Sequence, residues 1–212
     1  MRYDNEAHQV QEETSHALLM ETHERYGIIR FNRPHERNPL SLSTIEELET
    51  SFFKLVARPD ISTIIFTGAQ DVFASGANIR ELQILTPATA LEFARRGQNI
   101  FQQISDAKQL TIAAINGYCI GGALDLALAC KLRVASPDAL FAHPGARPGI
   151  TTGWGGTQRL PRLIGAARAI EMFATARRIT ASEAYEIGLI NFLSDSPLDF
   201  AQKLITDDQS FI

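Results

Sequence analysis

Residues Asn116 to Asp125 carry the chain's clearest chemical pattern, Asn-Gly-Tyr-Cys-Ile-Gly-Gly-Ala-Leu-Asp. An apolar segment, Thr111–Ile115, runs into a glycine turn, and the turn opens onto an apolar helix. Glycine lets backbone approach a ligand closely. A helix start presents N–H groups without intrahelical acceptors and the positive end of the dipole. Both suit a carbonyl oxygen that gains negative charge during reaction. Asp125 follows in the first turn, and Tyr118 to Cys130 holds no other charged residue. The pattern reads as an oxyanion hole with Asp125 as candidate base. A second glycine-led helix start, Gly76-Ala77 before Asn78, could add another N–H to the same oxygen. Either glycine pair alone also reads as an ordinary turn, and spacing in sequence does not establish that the two converge.

Each group also has a purely structural reading. Asp in a first helical turn favours the dipole without any catalytic role. Yet Leu124, Leu126, Ala127, Leu128 and Ala129 predict a helix buried nearly all round. A carboxylate there must be paired, hydrogen-bonded or functional. His143 precedes Pro144 and Gly145, and a lone histidine is commonly structural. The five histidines lack metal-ligand spacing, so no metal is expected. Ser51-Phe52-Phe53-Lys54 matches a Ser-x-x-Lys string, but it lies mid-helix without companion motifs. Walker, Gly-x-Ser-x-Gly and GxGxxG patterns are absent.

The positioning elements follow from periodicity. Ala17–Glu21 and Gly27–Phe31 read as strands around a turn, the second ending at Asn32-Arg33-Pro34. Ser43 with Glu46 predicts a capping box, and Ile45, Leu48, Phe52, Leu55 and Val56 then recur at helical spacing up to Pro59. Ile61–Thr67 is a buried strand and 68–75 a loop. Asn78 caps a short helix. Thr86-Pro87 begins a longer one, with Leu91, Ala94, Phe101 and Ile104 facing inward. Leu132–Ala135 and Ala139–Ala142 are strands, and 145–156 is a loop. Residues 160–176 are partly helical. Thr180 with Glu183 caps a helix that Gly188 ends, and Leu189–Leu193 is the last strand. A strand–strand–helix unit recurs, with an irregular period.

The 212 residues, 45% hydrophobic, suit one domain with a full core. No run approaches the roughly 18–20 apolar residues of a membrane span. The polar start, residues 1–16, reads as a flexible tail rather than a secretory signal. A net charge of −4 without a basic cluster argues against nucleic acid or an anionic membrane as partner. Cys119 and Cys130 lie in apolar surroundings and read as free thiols of a reducing, cytoplasmic compartment.

Over residues 17–199 the chain resembles the crotonase family, the enoyl-CoA hydratase/isomerase superfamily. The resemblance rests on Phe73-Ala74-Ser75-Gly76-Ala77-Asn78-Ile79, Ala113 to Gly122, and Gly153-Trp154-Gly155-Gly156-Thr157-Gln158-Arg159-Leu160. Asn32-Arg33-Pro34, Asn38-Pro39-Leu40, Arg178 to Ala181 and Gly188-Leu189 fall in the matching order. It implies an α/β spiral of β-β-α turns forming two nearly perpendicular sheets, assembled as a homotrimer or hexamer. It implies an acyl-CoA or enoyl-CoA ligand and no cofactor beyond the coenzyme A of the substrate. The thioester oxygen would sit between the amides of Ala77 and Gly122, with adenine near Ala74, Ser75 and Gly76. The segment containing Arg37, Asn38 and Leu40 would meet pantetheine and phosphates, and Gly145 and Thr152 the acyl end.

Two departures shape the functional expectation. Hydratases of the family hold one water between two glutamates. The first position is Asp125, a carboxylate shorter by one methylene, about 1.5 Å, and misplacement of about 1 Å can cost roughly a hundredfold. The second is Gly145, which has no acid or base, a loss typically of about 10²–10⁴ in rate. Pro148 and Thr151-Thr152 also differ from the family pattern. The expected activity is therefore of the enoyl-CoA hydratase/isomerase type, with His143, Thr151 and Thr152 as possible replacements. The alternative is a CoA-thioester binding or assembly protein with little hydration. A peptidase on the same architecture lacks a Ser-His-Asp set. The family's further C-terminal helices are expected to be reduced here to residues 200–212.

Overall fold

The computed structural model describes residues 16–206. The expected tail (all but residue 16) and residues 207–212 of the expected C-terminal remnant lie outside the described residues. Three successive turns of the chain each place one strand in a large sheet and the next in a smaller one. Thr63–Thr67 (β4), Leu110–Ile115 (β7) and Leu132–Ala135 (β9) pair in parallel at the centre of the large sheet. Their followers, Val72–Ala74 (β5), Tyr118–Ile120 (β8) and Leu140–Ala142 (β10), pair in parallel in the smaller sheet. The antiparallel pair Leu18–Thr22 (β1) and Tyr26–Phe31 (β2) extends the large sheet on one side and Phe192–Leu193 (β12) on the other. Ile179–Thr180 (β11) borders the small sheet. Pro39–Leu40 (β3) and Gly76–Ala77 (β6) form a separate parallel pair.

Side-chain alternation along the buried strands divides the apolar residues between two cores. Ile29, Ile64, Phe66, Ala113 and Ile115 face the main core with the helices. Ile28, Ile65, Ile112, Ala114 and Val134 face the other side, where Ala201 and Ile205 of Pro197–Thr206 (α8) cover them. The boundary expected at residue 199 thus falls inside a helix that closes this second core.

Local chemistry corrects several expectations. The helix Leu42–Val56 (α1) is capped by Ser41, not Ser43: Ser41 is extended and its Oγ accepts from Thr44 N at 3.1 Å. The segment expected to be a loop at 68–75 contains β5, too short to show a period. Helix Pro87–Asp106 (α3) turns Phe93, Gly97, Ile100, Phe101 and Ile104 inward, while Leu91 is exposed. The last strand shortens to β12 because Leu189 and Ile190 donate back to the Ala184 carbonyl. Asn78, Thr86 and Thr180 cap Ile79–Gln83 (α2), α3 and Ala181–Glu186 (α7) at the expected positions. Cys119 and Cys130 are buried and free.

Candidate active site

Parallel pairing sets Gly76 beside Pro39 and Ala77 beside Leu40, so β3 holds β6 in place. Facing it is the start of Gly122–Ala129 (α4). Gly76 and Gly121 adopt left-handed φ values of 82° and 61°, which side chains rarely tolerate. A Cβ on Gly76 would lie 2.7 Å from the Gly122 nitrogen, and one on Gly122 would stand 3.6 Å from the Ala77 nitrogen. The two glycine-led turns therefore meet. Gly122 is the first residue of α4, so its N–H has no intrahelical acceptor.

Ala77 and Gly122 lie on the wall of a mainly apolar cavity of about 800 Å³. Trp154 forms the wall next to them. Its indole fills the space a side chain at Gly122 would need and packs with Phe93 and Phe101. Gly97 makes the same concession from α3: a Cβ there would fall 2.2 Å from Trp154 Nε1. The sequence motifs do not mark Trp154 as a wall residue; an unexplained glycine inside a long helix is the signal that points to it.

Asp125 is fully buried behind this wall. Thr152, which lines the cavity, donates its hydroxyl to Asp125 Oδ2. His143 also lines the cavity, and its Nε2 faces Asp125 Oδ1 at 3.3 Å. Among the described residues, neither of these two atoms has a conventional hydrogen-bond partner. The carboxylate fits only because Gly156 (first residue of Gly156–Ile164, α5) lacks a side chain; a Cβ there would fall 2.0 Å from Oδ1. Burial pushes the Asp125 carboxyl up to about 7, against the opposing pull of the Thr152 hydroxyl, Arg159 and the Trp154 main chain. Burial also pushes the His143 imidazole down to about 4. Both groups are thus driven toward neutrality.

Gly145 lines the cavity, but its position cannot take a side chain without rearrangement. Its carbonyl accepts from Ile150 N at 2.7 Å, and a Cβ would lie 2.2 Å from the Ile150 oxygen. Ser75 borders both the main cavity and a smaller one of about 130 Å³, which Arg37, Arg147 and Arg178 also line. Asn38 is placed differently. It is buried, its amide donates to the carbonyls of Val72 and Phe73, and its Oδ1 accepts from Arg33 N. Leu40 and Ala74 point their side chains into the main core. These three hold the cavity rim without lining it.

The family model described as enoyl-CoA hydratase/isomerase matches residues 21–202. A crotonyl-CoA hydratase of Syntrophomonas wolfei is 38% identical over 175 residues, covering 82% of this chain and 67% of that relative. A solved structure of Pseudomonas aeruginosa DspI is 34% identical with a TM-score of 0.84, over 91% of this chain and 73% of that one. An enoyl-CoA hydratase structure from Thermoplasma volcanium reaches a TM-score of 0.87 at 31% identity, over 92% of this chain and 77% of that one.

Proposed function

The chain belongs to the enoyl-CoA hydratase/isomerase family, and on that premise we propose that it binds an acyl- or enoyl-CoA thioester and moves a proton through its enolate. The meeting of Ala77 with Gly122 at the head of a buried helix, on the wall of an apolar cavity, carries this reading. The thioester oxygen accepts from both amides, which are fixed by the fold before reaction, so charge developing on it needs little reorganisation. Asp125 is the candidate base. Arg37, Arg147 and Arg178 at the adjoining smaller cavity suit the phosphates of coenzyme A, the only cofactor group the reaction needs. We place the protein in the cytoplasm as a homotrimer or hexamer. No helix among the described residues is long and apolar enough to cross a membrane.

Double-bond migration requires one proton carrier, whereas addition of water in this family uses two carboxylates. The closed backbone at Gly145 favours migration. Replacement of Asp125 by Ala, assayed on a short panel of enoyl-CoAs, is expected to lower turnover about 10²–10⁴-fold. Unchanged turnover removes Asp125 from the mechanism. The same feature at Gly145 favours a second reading, a thioester-binding or assembly protein without turnover. Calorimetric binding of butyryl-CoA with no product from any panel member would select it.

A further inference from the structure

Resting on the thioester reading above, we infer that Asp125 acts as base through His143: the imidazole is the group that meets substrate and carries the proton, and Asp125 positions it across the approach of Nε2 to Oδ1. Three observations carry this. Asp125 is fully buried behind the cavity wall, whereas His143 and Thr152 belong to that wall. Asp125 Oδ1 and His143 Nε2 stand 3.3 Å apart, and neither atom has a hydrogen-bond partner among the described residues. A buried acceptor without a donor is destabilising, and a proton shared between the two atoms would relieve both deficits. The other carboxylate oxygen is engaged by Thr152, which fixes the plane of the carboxylate.

Other titratable and charged groups face the pair without replacing its members. Arg159 from α5 acts on Asp125 through its charge, and Cys119 from β8 feels the carboxylate. Phe173, from Ala166–Thr175 (α6), packs its ring 5.0 Å from that of His143 and contributes no proton. With Nε2–H donated to Asp125, Nδ1 is left to take a proton from substrate. In double-bond migration the α-proton passes to Nδ1. The electron pair of the broken C–H bond becomes the enolate π bond, and the charge comes to rest on the oxygen held by Ala77 and Gly122. The same proton then returns to the γ-carbon, the double bond moves into conjugation, and the imidazole is neutral again. His143 stands two residues before Gly145, so it serves the same end of the cavity from which the family's second glutamate is missing.

The test uses the full chain labelled with ¹⁵N-histidine, with His143→Gln to assign the His143 signal. The expected result in the parent protein is a protonated Nε2 and an unprotonated Nδ1 at about pH 8, where Asp125 is ionised and can accept from Nε2–H, a pattern that changes in Asp125→Asn. Nitrogen shifts of His143 unaltered by Asp125→Asn would overturn the pairing. But-3-enoyl-CoA is the activity probe and conjugated crotonyl-CoA the product. His143→Gln is expected to lose about 10²-fold or more in rate while butyryl-CoA still binds in calorimetry. A His143→Gln protein that converts the probe at the parent rate overturns the proposal. If the parent neither binds butyryl-CoA nor converts the probe, the thioester reading fails, and the nitrogen shifts alone decide on the pair. Should His143→Gln not fold, His143→Asn and the Asp125→Asn comparison give the same decision.

Discussion

Asp125 occupies an environment that disfavours its own charge, and the consequence is measurable in stability. The unfolded chain releases the Asp125 proton near the ordinary value of 3.8, whereas the folded protein holds it to about 7. The folded state therefore binds more protons between those limits. Stability from this group is fully present below about pH 4 and is lost as pH rises through 7. His143 has the opposite sign. Its folded value is depressed to about 4 from 6.5, so its contribution is present above 6.5 and lost as pH falls through 4. Asp125→Asn removes the first effect alone. In urea denaturation it is expected to be more stable than the parent at pH 8, by roughly 1–4 kcal/mol at about 1.4 kcal/mol per pKa unit. That advantage should vanish near pH 4. The same substitution should slow proton transfer about 10²-fold or more, the exchange of stability for activity expected of a charge buried for function.

Between elements, the packing of α3 against α4 depends on two glycines that make room for Trp154. Gly→Ala inside a helix ordinarily stabilises by about 0.5–1 kcal/mol. At Gly97 the added methyl would stand 2.2 Å from the indole nitrogen, and overpacking costs about 1–3 kcal/mol. The collision outweighs the propensity gain, so Gly97→Ala is expected to destabilise and to push Trp154 toward the cavity. Trp154 is the chain's single tryptophan, so its fluorescence reports the displacement directly. The helices and long strands were legible in the sequence because amphipathic spacing and caps such as Asn78 and Thr86 act locally. Ser41 was not, since two serines stand near the start of α1 and only the backbone angle selects between them. β5 was hidden because three residues cannot establish a period. The two amide donors of the site were visible as glycine turns, but their meeting depends on the β3–β6 pairing, a contact between residues 37 positions apart. The approach of His143 to Asp125 likewise required the small sheet to bring β10 beside β8.

At the scale of the whole molecule, the large sheet carries one core on each face, and the cavity lined by Ala77 and Gly122 lies on the main-core side while α8 closes the other. The proposed ligand recognition is divided too, between the apolar cavity and the small arginine-lined one that shares Ser75, Pro144 and Arg147 with it. Double replacement of Arg147 and Arg178 by Ala should weaken calorimetric binding of butyryl-CoA about tenfold, the 1.4 kcal/mol scale of a lost charged contact. Binding of butyryl-pantetheine, which lacks the phosphates, should be unaffected; equal loss for both would show that the arginines act on the fold instead. The closed turn between Gly145 and Ile150, finally, limits how the chemistry of this chain could change. With the Ile150 carbonyl occupying the place of any side chain, a lone codon change to glutamate would meet a steric barrier before it could confer water chemistry. To acquire it, the chain would need a compensating backbone shift between Gly145 and Ile150 to arise first or together with that change.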